Sequence, residues 1–188
     1  MMDSGSMDLQ PTLTCERLLL RPLREDDRDA LYAVASDPAI WALHPAHDRH
    51  EPTVFHAFFD EAMASGGALV VVDRASGAVI GSSRYDFGRA GANEIEIGWT
   101  FLARSHWGGA TNREMKRLML RHAFGAVATV IFLVGETNLR SRRALEKIGA
   151  RLTARTHRAV MAGRPAVHVV YAMDAEDYAR SPLARGGA

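Results

Sequence analysis

The chain has a single cysteine, only two lysines and almost no net charge, and each shortage removes a class of function. With Cys15 alone among 188 residues, no internal disulfide can form, and a reducing, cytoplasmic setting is expected. Cys15 stands just before a strand with no activating partner in view, so it reads as a packed bystander and not a nucleophile. A formal net charge of +1 gives no strong pull toward nucleic acid or an anionic membrane. No apolar run approaches the length of a membrane span, and residues 1–10 lack the basic start and apolar block of a signal peptide. Lys116 and Lys147 are the only lysines, and no lysine-bearing phosphate loop is present, which argues against a nucleotide-binding protein. Internal repeats, low-complexity segments and composition shifts are also absent.

What remains is 47% hydrophobic, enough for one domain with a proper core. The expected domain covers residues 12–178, between loose tails at 1–11 and 179–188. A short strand, residues 17–23, leads through the charged turn Arg24–Asp27 into a helix over 27–36, ended by Asp37-Pro38. Residues 39–52 read as an irregular loop lining a cleft, followed by a helix over 53–63. Strands at 68–73 and 79–87 flank a turn at 75–78, and a third strand spans 94–102. A helix follows, then a continuous apolar strand at 128–134, a helix over 139–148 stopped by Gly149, and a closing hairpin of strands 151–160 and 167–174. This order predicts a mixed α/β (α+β) fold, largely antiparallel in its first half, and not a doubly wound dinucleotide fold.

The densest stretch runs from Glu94 to Phe124: a strand, a turn carrying Gly108 and Gly109, and a helix with Met115, Leu118 and Met119 on one face. Asn112 is the expected N-cap, with Glu114 in the first turn. A strand, a glycine turn and a helix start together form a general anion site, because free amides and the helix dipole point the same way. A plain turn would look alike at this level.

Three pieces then coincide: Trp107-Gly108-Gly109 after a strand, Asn138-x-x-Ser141 opening the next helix, and Leu145-Glu-Lys-Ile-Gly149 closing it. With the element order, the chain resembles the GNAT family of acyl-CoA N-acyltransferases over residues 12–178. Within that family it is most similar to the branch that acetylates the N-termini of ribosomal proteins. The resemblance implies a GNAT-like central sheet flanked by helices, in which the strands at 94–102 and 128–134 splay apart and hold acetyl-CoA as co-substrate. Backbone near Thr100, Phe101 and Leu102 would pair with the pantetheine arm. Amides of Trp107, Gly108, Gly109, Ala110, Thr111 and Asn112 would hold the pyrophosphate, with Arg113 and Arg143 nearby. Asn138 would cap its helix and contact the pantetheine, and Ser141 would donate to the CoA sulfur. Two departures stand out. Ala110 and Asn112 replace the commoner glycine or alanine, and a positive φ at Ala110 would cost about 1–2 kcal/mol. Leu145 stands where the family often has a tyrosine acting as general acid.

An amine nucleophile must lose a proton, so a base or a water relay is useful at neutral pH. Glu96 is the first candidate and Glu94 lies on the same side of the strand, although this alternation also suits a solvated sheet face. His44 or His47 is a second candidate base. His44, His47 and His50 invite a metal reading, but Pro45 interrupts their spacing and no ligand set completes it, so no metal is expected. Ser141 falls on the inward face of its helix, where it could instead bond back to its own backbone. Arg113, Lys116, Arg117 and Arg121 on one helix and Arg140, Arg142 and Arg143 on the next form a basic zone suited to phosphates or simply to solvent. The resulting expectation is an N-acetyltransferase acting on a primary amine by direct transfer in a ternary complex. Its rival is a non-catalytic acyl-CoA-binding module, kept open by Leu145 and the altered loop. The acceptor is a protein N-terminus or a small amine, neither nucleic acid nor membrane is a partner, and a homodimer is compatible with the resemblance.

Overall fold

Ala68–Asp73 is an almost unbroken apolar run because strand β3 lies inside the sheet and is covered on both faces. Leu69 and Val71 point into one core, while Ala68, Val70 and Val72 point into a second core on the opposite face. The computed structural model describes residues 7–185. Its strands are β1 (Leu13–Thr14), β2 (Leu18–Pro22), β3, β4 (Val79–Asp86), β5 (Glu94–Leu102), β6 (Thr129–Gly135), β7 (Arg151–Met161) and β8 (Arg164–Asp174). They form one eight-stranded sheet in the order β1-β2-β3-β4-β5-β6-β8-β7.

All neighbours are antiparallel except β5 and β6. A parallel pair needs a crossover, and helix α4 (Thr111–Ala123) supplies it. With α5 (Leu139–Lys147), α4 covers one face through Met115, Leu118, Met119 and Leu145. Helices α1 (Arg28–Ala35), α2 (Pro38–Trp41) and α3 (Pro52–Ser65) cover the other through Leu31, Trp41, Phe55 and Phe59. No helix among the described residues is long and apolar enough to cross a membrane.

The structure adds β1, α2 and a C-terminal helix α6 (Ala175–Arg180) to the elements expected from sequence. Asp37-Pro38 both ends α1 and starts α2, since the Asp37 side chain accepts from the Ala39 amide at 3.0 Å and proline is at home in a first turn. The tails differ from expectation where they are described. Met7 and Leu9 pack on the core, Pro11 is buried, and the Gln10 amide donates to the Ala68 carbonyl at 3.2 Å. Ser181 and Leu183 are also buried, so apolar contact holds both ends down. The rest of the two expected tails, residues 1–6 and 186–188, lies outside the described residues.

Candidate active site

The pairing of β5 with β6 stops early. Glu94, Ile95 and Glu96 pair with Thr129, Val130 and Ile131, and beyond that point the strands part. β5 stays on β4 as far as Leu102, and β6 stays on β8 as far as Gly135. A bulge in β5 marks the divergence: Trp99 has φ 50° and the β4–β5 register shifts between Ser82 and Arg84. An extra residue bends a strand and re-aims its side chains. Before the bulge, Ile95 and Ile97 face α4 and Glu96 faces the α1–α3 side. After it the parity inverts, so Thr100 meets α4 and Phe101 joins the core beneath α3.

A turn joins β5 to α4 at one mouth of this gap. The Trp107 indole donates to the Leu102 carbonyl at 2.9 Å, and the Arg140 guanidinium lies 4.1 Å from its ring. Arg140 also donates to the Ile40 carbonyl at 2.9 Å, tying α5 to α2. The single positive φ in the turn falls on Gly108, at 72°. Ala110 sits at φ −81°, in ordinary right-handed backbone, so the strain that its Cβ threatened does not arise. Helix α4 begins at Thr111 with Ala110 as its N-cap residue, which corrects the expectation that Asn112 caps it: Asn112 is already inside the first turn. No side chain caps this end, so the first amides of α4 are free toward the mouth. Arg113 projects from the same turn and is exposed.

The start of α5 lies at the end of β6. Asn138 is buried, and its Oδ1 accepts from the Ser141 amide at 3.2 Å, so the expected N-cap is present. Ser141 is half-buried and its Oγ has no hydrogen-bond partner among the described residues. It does not bond back to its own helix. Arg143 is exposed, and Leu145 is buried in the core, so that position offers neither an acid nor a cleft contact.

On the α1–α3 side of the gap, Glu96 is fully buried, which removes the solvated-face reading for this residue. Arg89 grips it with two bonds, Nη2 to Oε1 at 2.6 Å and Nε to Oε2 at 2.9 Å. Burial pushes the Glu96 carboxyl above the ordinary carboxylate range, and Arg89 opposes that rise without cancelling it. Glu94 is spent on Arg155, 3.0 Å away. His44 packs edge-on to Trp41, its Nδ1 accepts from the Ala46 amide at 2.9 Å, and burial pulls its pKa down to about 3. A histidine that weak is a poor proton acceptor, which corrects its candidacy as a base. His47 is exposed, and His50 bonds to the His47 carbonyl and to Glu51. Among the described residues no group of three His, Cys, Asp or Glu side chains converges as a metal set would.

The loop between α2 and α3 does border the gap. A Cβ on Gly135, at the end of β6, would stand 2.6 Å from Pro45 Cγ, so that contact requires glycine. Four polar side chains here stand otherwise than the sequence suggested, three of them not singled out by it at all. Arg49 and Arg84 are buried on the α3 side, and His168 is buried on β8 beside Gly135 with its Nδ1 unpartnered. Lys116, expected in a basic zone facing phosphates or solvent, is instead buried under the bulge, its Nζ donating to Thr100 Oγ1 at 2.9 Å. Strand alternation on β4 and β8 could have placed Arg84 and His168; nothing local marks Arg49 or Lys116 as buried.

A family model described as "Acetyltransferase (GNAT) domain" matches residues 17–151. No match to a curated protein was found. Among solved structures, a GCN5-related N-acetyltransferase from Brucella melitensis superposes with a TM-score of 0.78 at 21% identity, covering 90% of this chain and 80% of that one. RimJ from Mycobacterium smegmatis, solved in complex with CoA-disulfide, gives 0.69 at 21% identity, covering 89% and 87%. An alanine acetyltransferase of a ribosomal protein, from Vibrio fischeri, gives 0.64 at 15% identity, covering 89% and 98%. At these identities the superpositions speak to the fold, whereas the family model reads the sequence itself and spans most of the chain. The parted strands, the uncapped helix start behind a glycine turn and the matched residues all belong together, and the chain is a member of the GNAT family of acyl-CoA N-acyltransferases.

Proposed function

We propose that the enzyme transfers the acetyl group of acetyl-CoA to a primary amine by direct attack in a ternary complex. The observation that carries this reading is the parting of β5 and β6 just past Glu96, opposite an uncapped helix start and a free serine hydroxyl. The residues present fit the co-substrate. The amides from Gly108 to Asn112 suit a pyrophosphate, whereas the Trp107 amide, expected to join them, already donates to the Arg104 carbonyl at 3.0 Å; Arg113 and Arg143 are near enough to the two helix starts to meet its outer charges. The edge of β5 through Phe101 and Leu102 faces the gap without a β6 partner, as a pantetheine amide pair would need.

The amine attacks the thioester carbonyl carbon, the C–S bond breaks, and the amine proton passes to Glu96 directly or through water. A carboxylate whose pKa is raised by burial is a stronger base than an exposed one. Ser141 Oγ donates to the departing thiolate, stabilising its charge. Cys15, the one cysteine, lies between β1 and β2, and β3 and β4 separate β2 from β5, so no thiol stands at the parted strands for an acyl-enzyme route. The acceptor is a protein N-terminus or a small-molecule amine. Two of the structural neighbours, from Vibrio cholerae and Vibrio fischeri, bear names that describe ribosomal-protein acetyltransferases, and a protein N-terminus is therefore the first acceptor to try. Release of CoA thiol from acetyl-CoA across a panel of peptides and small amines tests the proposal. Tight CoA binding with no turnover on any amine would overturn it in favour of a non-catalytic module.

A further inference from the structure

We propose that the acceptor amine carries a carboxylate, received by Arg49 and Arg84 on the α3 side of the gap. This names the substrate class for the acetyl transfer proposed above and rests on that reading. Arg49 is about nine-tenths buried, at 9% exposure. Its guanidinium lies 4.4 Å from the Phe58 ring and 5.5 Å from Trp41, yet it forms no ion pair or hydrogen bond among the described residues. Both rings pack on Phe101, which follows the β5 bulge by two residues. Arg49 therefore stands at the gap and not at a distant surface.

Arg84 is the second half of the site. It lies on β4 opposite Gly98, is 2% exposed, and has its guanidinium carbon 4.3 Å from the Trp99 ring at the bulge. Its Nη1 donates to Glu61 at 3.2 Å, while its Nε and Nη2 are buried with no partner. Aromatic contact holds each guanidinium in place, and N–H groups of both lack a partner among the described residues, which suits an oxyanion.

The charges that face one another here are Arg49, Arg84 and Arg89 against Glu61, Asp86 and Glu96, with Asp48 acting on Arg49, and with burial lowering the pKa of His44 and His168. Glu96 belongs to Arg89, and Glu61 is largely exposed. The Arg49 guanidinium is left with no ion pair or hydrogen bond of its own among the described residues, and buried charges are normally paired. A single carboxylate supplies the missing partner for Arg49 and for Arg84 Nε and Nη2, whereas a phosphate dianion would bring two charges beside Asp86 and Glu96.

The test is thiol release by the wild-type enzyme at saturating acetyl-CoA, with acceptors in matched pairs. One pair is a free amino acid and its amide. The other is a short peptide with aspartate or glutamate second and the same peptide with asparagine or glutamine. At least one carboxylate member is expected to exceed its neutral partner in kcat/KM by about thirtyfold or more, the scale of losing one partner of a buried charge pair. Arg49→Gln is expected to draw that ratio toward one, mainly by raising KM for the carboxylate. Equal kcat/KM within both wild-type pairs overturns the proposal without needing the variant to fold. Thermal stabilisation by an N-acetylated amino acid, absent with its amide, reports the site independently of turnover. No turnover with that stabilisation intact would sink acetyl transfer and keep the anion site; turnover without preference or stabilisation would do the reverse.

Discussion

Lys116 offers a direct measurement of how dry the interior beneath the gap is. It sits in the second turn of α4, 5% exposed, with Nζ 5.5 Å from the Phe132 ring centre. Thr100 Oγ1 is its one hydrogen-bond partner among the described residues, and no carboxylate reaches it. Burial pulls its pKa from 10.5 to about 7. At about 1.4 kcal/mol per pH unit, that shift corresponds to about 5 kcal/mol between the two protonation states. The unfolded chain binds a proton that the folded protein sheds between pH 7 and 10.5, so stability contributed by this group rises with pH across that window. Integrating the two titrations, wild type should gain about 2 kcal/mol from pH 7 to pH 9 that Lys116→Met does not gain. Methionine keeps the stem and drops the amine, while Thr100 Oγ1 retains Ser83 Oγ at 2.8 Å. At pH 7 the variant should therefore be the more stable protein. Urea unfolding of both proteins at the two pH values reads the difference directly. Parallel pH dependence in wild type and variant would refute the claim that this lysine is desolvated.

Other consequences follow from the geometry of the gap. Glu96→Gln should lower kcat by about a hundredfold or more, within the range of general-base catalysis, and remove the acid limb of the pH–rate profile. That limb should fall as pH drops through the raised Glu96 pKa, and its survival in the variant would assign the base elsewhere. His44→Phe should leave the same limb in place, since a histidine near 3 does not titrate there. Ser141→Ala should cost about tenfold or more in kcat with little change in KM for acetyl-CoA, as expected of a donor that acts on developing charge. Unchanged turnover would return Ser141 to a structural role. Gly135→Ala must push Pro45 aside, so it should lose about 1–3 kcal/mol of stability, as overpacking does, and raise KM for the acceptor. Chemical unfolding and acceptor kinetics check the two halves of that statement.

Much of the site was legible because its pieces are local. Gly108, Asn138, Ser141 and the helix starts are short-range features, and the cap that Asn138 forms needs only the next three residues. Local reading misplaced the α4 start by crediting Asn112, whose side chain made it look like a cap, where Ala110 takes the position without any side-chain bond. It also made α2 part of a loop, because Asp37-Pro38 can end one helix and begin another. Glu96 remained ambiguous, since alternation assigns a side chain to a face and does not say whether that face is wet.

The sequence by itself determined the order of the main elements, the family and the cap that opens α5, through periodicity, turn residues and caps that act over a few positions. Only the tertiary structure decided what fills the space between them. The bulge at Trp99 inverts the parity of β5, so Phe101 meets α3 and Thr100 meets Lys116. Arg49, Arg84 and Glu96 come from three separated segments, and their burial follows from what α3 and the sheet lay over them. Burial and charge balance are sums over neighbours distant in sequence, and no local pattern contains them.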